Sequence, residues 1–360
     1  MEPWNACAVV TVWGMVCGKE AIMFIENKCT CCGDCLYLCQ YTDYSRDDAV
    51  RQIKDLITGE QALILDECIT CMACNEMCPQ GAYPFELILA MQEKFGIKTV
   101  DDDVEMMIEK TLSQVPDEVT DGEPDKPAVC VCVMEQAYPK DMLAGGLFKG
   151  MSVIRGGSYF SRIVYMHMGN ETIIRQNAQQ YVDSLAELKK NEIVFVHDDC
   201  YVMVSKKAPE YGIEVSFKAR SIMDYIVGLL MEHRDTIQSV NKRVAFQRPC
   251  IERYMPENGA KADMVFDLVG AERVKREYDR QNALCCGIGL YKTQPERARN
   301  IIKRNLDDAR QNRAEAMLFA CPSCYSFLKK PCEDAGILPV FITDLCRLAL
   351  GESPADLQNW

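Results

Sequence analysis

Apolar residues change their spacing along this chain, and the changes divide it. From Ser45 to Ile57 the apolar positions Val50, Ile53, Leu56 and Ile57 fall on one face of a predicted helix. Ser45 stands at the cap, and Asp47 and Asp48 occupy the first turn, where the helix dipole favours negative charge. A second helix is predicted from Phe85 to Phe95, just after Pro84. Ahead of both, Ile22 to Ile25 reads as a short strand. The apolar run from Ala6 to Cys17 is too short to span a bilayer and reads as a strand or a docking segment. Thr99 to Pro127 is acidic and proline-rich, predicting a short helix near Val104 to Leu112 and then a linker.

From Ala128 the pattern becomes alternating strands and helices. Strands rich in Val, Ile and Phe are predicted at Pro127 to Met134, Glu192 to His197, Arg243 to Gln247, Ala316 to Ala320 and Leu338 to Ile342. Helical stretches such as Thr172 to Lys189 and Pro295 to Asn312 separate them, as an α/β fold requires. There is an internal repeat: Phe195-Val196-His197-Asp198-Asp199-Cys200-Tyr201 matches Phe319-Ala320-Cys321-Pro322-Ser323-Cys324-Tyr325, and Gly212-Ile213 matches Gly336-Ile337 at the same offset. The repeat predicts one α/β lobe, duplicated.

A chain of 360 residues has room for two or three domains, and 48% apolar with 26% charged residues is a globular composition. A net charge of -13 argues against nucleic-acid binding, which needs a basic footprint. Cysteine is the outlier, with 21 in a chain too large to need disulfide staples. With no readable secretion signal, the thiols are expected to be reduced inside the cell and to serve as metal ligands. Three histidines, His167, His197 and His233, leave no basis for haem or polyhistidine chemistry. Neither a G-x-G-x-x-G after a strand nor a G-x-x-x-x-G-K-[ST] occurs, so a nicotinamide, flavin or nucleotide would belong to another subunit.

The cysteines fall into patterns. Cys29-x-x-Cys32-x-x-Cys35-x-x-x-Cys39 is followed by Cys68-x-x-Cys71-x-x-Cys74-x-x-x-Cys78-Pro79. This repeated three-plus-one spacing resembles the bacterial ferredoxin. The resemblance implies two [4Fe-4S] cubes, one held by Cys29, Cys32, Cys35 and Cys78 and the other by Cys68, Cys71, Cys74 and Cys39. A zinc reading with Cys-x-x-Cys pairs leaves the regular spacing unexplained. Gln40 replaces the usual proline after Cys39, a departure expected to alter the local turn, and Cys31 is an extra thiol beside the loop.

Toward the end come Cys250, Cys285-Cys286-Gly287 and Cys321-Pro322-Ser323-Cys324. Five thiols from three places can enclose one cluster, adjacent cysteines reaching different irons, while a structural zinc would use four of them. The pattern resembles the CCG domain of heterodisulfide reductase subunits and of iron–sulfur subunits of anaerobic dehydrogenases. The first lobe departs from it. Its strand carries Cys130 and Cys132, Arg155-Gly156-Gly157 stands for Cys-Cys-Gly, and His197-x-x-Cys200 stands for Cys-x-x-Cys. His197 and Cys200 read as packed residues of a degenerate lobe. A residual site remains open, either a Cys/His metal ion with Cys130 or Cys132, or a polar group facing the intact cluster. As a neutral imidazole, His197 would suit proton transfer beside a thiol.

Together the resemblances imply an α+β ferredoxin-like 2[4Fe-4S] helical domain over 1–98, an acidic linker over 99–127, and a duplicated α/β CCG domain with a degenerate lobe over 128–235 and an intact lobe over 236–360. The expected function is that of a heterodisulfide-reductase-like, D-subunit-like oxidoreductase. Electrons would pass through two cubes to a CCG-bound [4Fe-4S] cluster, non-cubane in type, that reduces a disulfide, with Cys285, Cys286 and His197 catalytic. The alternative is a non-catalytic subunit relaying electrons between a flavoprotein or quinone and a low-potential reductase. Implied partners are a flavoprotein, hydrogenase-type or membrane subunit and a small-molecule or protein disulfide. The expected location is cytoplasmic, peripheral to a membrane through a partner.

Overall fold

The computed structural model describes residues 23–358 and 360. The run from Ala6 to Cys17, and Ile22, lie outside them. Residues 23–25 of the predicted first strand are not strand: Ile25 N–H donates to the Ala82 carbonyl at 2.9 Å, and a 3-10 turn follows at Glu26–Lys28. One hydrogen bond anchors this segment where the sequence suggests a ladder.

The first part of the chain is helical: α1 (Asp34–Tyr37), α2 (Arg46–Ile57), α3 (Ile64–Glu67), α4 (Ala73–Met77) and α5 (Pro84–Phe95). Ser45 Oγ accepts the Asp48 N–H and fixes the start of α2, as its sequence predicts. Ala49, Gln52, Ile53 and Leu56 form the buried face of α2, while Val50 and Ile57 at its edge are only half-buried. Helix α5 is buried on almost every side, with Phe85 and Leu89 fully enclosed, and stops at Gly96, whose φ of 66° only glycine adopts easily. Helix α6 (Asp102–Gln114) and a two-residue strand β1 (Glu118–Val119) occupy the stretch expected to be linker. Strand β1 pairs antiparallel with a later strand, so the acidic segment is tied to the sheet that follows.

Among the described residues, nine strands make two sheets: β2 (Ala128–Cys132), β3 (Ser152–Arg155), β4 (Glu192–Phe195) and β5 (Lys218–Ser221) with β1; then β6 (Arg243–Gln247), β7 (Glu272–Arg273), β8 (Ala316–Phe319) and β9 (Leu338–Phe341). The orders are β1-β3-β2-β4-β5 and β7-β6-β8-β9, parallel except for β1. Helices α7 (Glu171–Ala186), α8 (Asp198–Val202), α9 (Ala208–Glu210), α10 (Ile222–Glu232), α11 (Asn258–Val269), α12 (Pro295–Gln311), α13 (Pro322–Asp334) and α14 (Ile342–Ala349) connect and cover the sheets. Five strands and the long helices stand where periodicity predicts them; β1, β3, β5 and β7 have no counterpart in that pattern.

Alternation along β2 and β4 sorts their side chains between two cores. Val129, Val131, Val194 and Val196 share one core with β6, β8 and β9. Ala128, Cys130, Cys132, Ile193 and Phe195 turn the other way, into a core with Met72, Phe85 and Leu89 of the helical part and Ile251, Tyr254 and Met255 beyond β6. Cys130 and Cys132 thus face the place where the three parts meet. Lys207 lies fully buried at that junction, 3.2 Å from Glu86, 3.4 Å from Glu171 and 3.3 Å from Glu210.

Candidate metal centres

The two ferredoxin-like loops have the same backbone shape. Cys31 and Gly33 in the first have φ of 55° and 76°, and Thr70 and Met72 in the second have 56° and 63°. Left-handed residues at the same two offsets curl each loop around its cysteines, and three of the four are not glycine, so the shape is held against local strain. Gly33 has a second reason to be glycine: a Cβ there would meet the Val50 backbone nitrogen at 2.8 Å, where α2 packs against the loop. Cys31, the extra thiol, occupies the position Thr70 fills in the second loop.

The thiols of the two loops act on one another. Burial pushes the Cys35 thiol up, and the sulfurs of Cys78, Cys29 and Cys32 add to the rise. Burial likewise raises Cys68 and Cys74, and the further contributors include Cys71 and Cys39 in both cases. Cys71 is pushed up to about 11 by burial, with Arg253 opposing and Cys39 adding. Cys39 thus acts on the thiols of the second loop and Cys78 on Cys35 of the first. Cys35 also acts on Cys74, so the groups adjoin. Backbone N–H groups point at sulfur in both, Thr70 to Cys68 at 3.3 Å and Ala82 to Cys78 at 3.4 Å.

The third group holds all five cysteines of the last motif. Cys286 and Cys324 are buried, while Cys250, Cys285 and Cys321 are partly open. The thiols perturb one another in a row: Cys285 and Cys324 lower Cys286, and Cys324 lowers Cys321. Burial and then the Cys286 sulfur raise Cys250. Gly287, with φ of 86°, turns its N–H to the Cys285 sulfur at 3.4 Å. Cys71 and Cys285 pack against the same small core, so the second group adjoins the third. Ile288 and Tyr291 stand exposed just beyond Gly287.

Arginines hold the helical part against this third group. Arg248 makes a two-pronged pair with Glu76 at 2.7 and 2.8 Å, and Arg253 reaches the same carboxylate. Arg297 donates to the carbonyls of Tyr41 and Glu67 at 2.9 and 2.8 Å. Tyr41 Oη accepts the backbone N–H of Cys285 at 2.7 Å. Gln40, where proline was the usual residue, donates to the Asn282 carbonyl at 2.9 Å and so joins the same seam. Ile69, beside Cys68, shares a small core with Leu284, Leu290, Ala298 and Ile301.

Sequence reasoning missed His167. Its Nδ1 lies 3.1 Å from Thr70 Oγ1 and its Nε2 3.6 Å from Cys250 Sγ, between the second loop and the third group. Only the scarcity of histidine pointed toward it. His197, by contrast, is enclosed. Its Nδ1 lies 3.7 Å from both Cys132 and Cys200, its Nε2 lies 3.5 Å from Asp199, and Phe160 stacks on its ring. Burial alone would strip its proton, but Asp199 and the Cys200 sulfur outweigh burial and raise the ring to about 10.

The donor chemistry fits iron–sulfur groups. All 19 cysteines of the described residues are free thiols. Among the described residues, just one set of three or more donors converges within 4.8 Å, Cys132, His197 and Cys200. The three cysteine groups are thus wider than the shell of a single ion, as a multi-iron core requires. Residues 244–329 match the family model described as a cysteine-rich domain, CCG. This segment is a CCG domain. Its strand ends and loops carry the third group through Cys250, Cys285-Cys286, Cys321 and Cys324.

Two curated proteins each resemble about half of the chain. A fumarate reductase (CoM/CoB) subunit of Methanothermobacter marburgensis is 26% identical over 189 residues, 49% of this chain and 36% of that protein. A dihydromethanophenazine:CoB--CoM heterodisulfide reductase subunit of Methanosarcina barkeri is 21% identical over 173 residues, 47% of this chain and 42% of that protein. The chain thus spans well under half the length of either relative. A hypothetical protein from Helicobacter pylori aligns with a TM-score of 0.47 at 11% identity, covering 76% of this chain and 59% of its own. No helix of the described residues is long and apolar enough to cross a membrane.

Proposed function

We propose that this chain is an iron–sulfur oxidoreductase subunit that reduces a disulfide at its CCG domain. The reading is carried by one observation: three groups of cysteines adjoin in series, Cys35 and Cys74 packing in one core and Cys71 and Cys285 against another. Cys29, Cys32, Cys35 and Cys78 would hold one [4Fe-4S] cluster, Cys39, Cys68, Cys71 and Cys74 a second, and Cys250, Cys285, Cys286, Cys321 and Cys324 a third of CCG type. Such clusters, when bound, supply one-electron transfer at potentials set by charge, hydrogen bonds to sulfur and solvent exposure.

The protein's own residues do the rest. Arg248, Arg253 and Arg297 keep the second group against the third. Tyr41 fixes the Cys285 backbone, and the partly open edge at Cys250, Cys285 and Cys321 admits a sulfur substrate. In the overall reaction the S–S bond breaks as two electrons from a reduced donor protein and two protons from solvent are added, giving two thiols. The name of one relative, a heterodisulfide reductase subunit, supports a disulfide acceptor, and the exposed Ile288 and Tyr291 suit a docked partner. We also infer that the α/β part is a duplication, because β3-β2-β4-β5 and β7-β6-β8-β9 share one order and one direction. Domains of 1–98, 128–235 and 236–360 with a connecting stretch 99–127 follow from this reading.

The test is low-temperature EPR of the anaerobically purified chain titrated with thiols and disulfides, with iron and sulfide analysis. About twelve irons per chain, a thiol-sensitive signal, and loss of disulfide reduction in Cys285→Ala and Cys286→Ala with the other two signals intact are expected. Full disulfide turnover in those variants would refute catalysis at the CCG domain. Dye-linked redox cycling with no activity on any disulfide would leave the chain as an electron relay between partners.

A further inference from the structure

We propose that the first α/β lobe binds a single divalent metal ion of the zinc type through Cys132, His197 and Cys200, separate from the three cysteine groups. These side chains are 1%, 3% and 1% exposed, and their donor atoms all lie within 4.8 Å of one another. Both sulfurs stand 3.7 Å from the same atom, His197 Nδ1. A tetrahedral ion with metal–sulfur bonds of about 2.3 Å and metal–nitrogen bonds of about 2.0 Å sets such atoms about 3.5 Å apart. One ring nitrogen presents one proton or one lone pair in one direction. Two sulfurs at equal distance from it stand as ligands do around a shared ion.

The backbone independently marks the site. Cys132 has φ of 47°, rare for a residue with a side chain, and the register of β2 against β3 slips between Cys130 and Cys132. A bulge re-aims a side chain, and left-handed strain persists where the surroundings demand it. His197 leads from β4 into α8 and Cys200 lies one turn on, so strand and helix start supply the other two ligands. Asp199 Oδ2 lies 3.5 Å from the second nitrogen of His197, Nε2, which makes no hydrogen bond, so the carboxylate stands near the ring without a bond to it. Cys130, whose thiol shares the Tyr159 carbonyl with Cys200 at 3.9 and 3.8 Å, stands beside the three donors but outside their convergent set, which leaves the fourth position to solvent. Binding takes the protons of the ligating thiols and of Nδ1 to solvent and changes no oxidation state. Burial and mixed sulfur and nitrogen ligands mark a structural ion, one that clamps β2 to the start of α8 beside Cys321.

The full chain, purified anaerobically, is analysed for all metals and by X-ray absorption at the edge of any metal besides iron. The expected result is one such ion per chain, with sulfur and nitrogen neighbours. Cys132→Ala and His197→Gln should each lose it with iron and sulfide unchanged, and Cys346→Ala, a buried thiol elsewhere, should keep it. His197→Cys should retain the ion with one more sulfur neighbour, so a folding defect in His197→Gln leaves the question answerable. Absence of any ion but iron, an all-sulfur shell in the unaltered chain, or retention of the ion in both ligand variants would each overturn the proposal. Iron content and disulfide reduction are separate readouts, so this site and the proposed reductase function stand or fall independently.

Discussion

His167 Nε2 lies 3.6 Å from Cys250 Sγ, and the opposite nitrogen of the ring reaches the loop of Cys68 and Cys71 through Thr70 at 3.1 Å. A polar group in contact with one thiol of the third group and with the loop of the second orients both. Partners behind metal ligands commonly change affinity or activity 10- to 100-fold. His167→Phe should therefore lower disulfide turnover about 10-fold or more while leaving iron content unaltered. Unchanged turnover, measured with the same donor, would show that His167 only fills space.

The grouping of thiols makes Cys39 and Cys78 informative. Cys78→Ala should remove the same spectroscopic signal as Cys29→Ala, and Cys39→Ala the same signal as Cys68→Ala. Each variant should lose about four irons. Mössbauer and EPR spectra of the four variants check the pairing, and a Cys78 variant that resembles Cys68→Ala would reverse it.

Glu76 binds two buried arginines at the seam, Arg248 and Arg253. Removing one partner of a buried ion pair leaves an uncompensated charge and costs roughly 3–5 kcal/mol. Glu76→Ala should destabilise the fold on that order by urea denaturation. It should also slow reduction of the third group relative to the second in stopped-flow spectra, because the arginines no longer anchor the helical part.

The carboxyl of Asp344 on α14 is raised to about 7 by burial, with Arg347, 3.3 Å away, pulling the other way. Its folded value lies above its unfolded one, so its stabilising contribution is complete below about pH 4 and is lost as pH rises through 7. Between pH 5 and 8 the unaltered chain should lose on the order of 2–3 kcal/mol that Asp344→Asn retains. Urea midpoints of both proteins across that range check it, and parallel curves would exclude Asp344 as the titrating group.

The parts of this molecule differed in how plainly the sequence showed them. Cysteine spacing repeats in both loops, so the sequence alone sets out the eight thiols as two like runs. Strands β6, β8 and β9 are buried on both faces and therefore read as apolar runs. Strand β5, Lys-Ala-Arg-Ser, and β7, Glu-Arg, are short and polar, so their pairing with a neighbour determines them and no local pattern does. His167 sits in Tyr-Met-His-Met, with no motif around it, and acquires its role only when residues 70 and 250 arrive beside it. Cys132, His197 and Cys200 looked like the remains of a lost motif. Their convergence depends on a bulge that a sequence does not display.

Tyr41 accepts the amide of Cys285 across 244 residues of chain. The consequence is one of timing. A growing chain completes its first two sets of cysteines when residue 78 has emerged, yet the Cys285 loop takes its final shape only after the last lobe is made and docks on a partner synthesised long before. Contacts this distant in sequence form late. Until then the exposed thiols of the third group are open to oxidants, so the seam that tunes the mature site also sets how long it stays vulnerable.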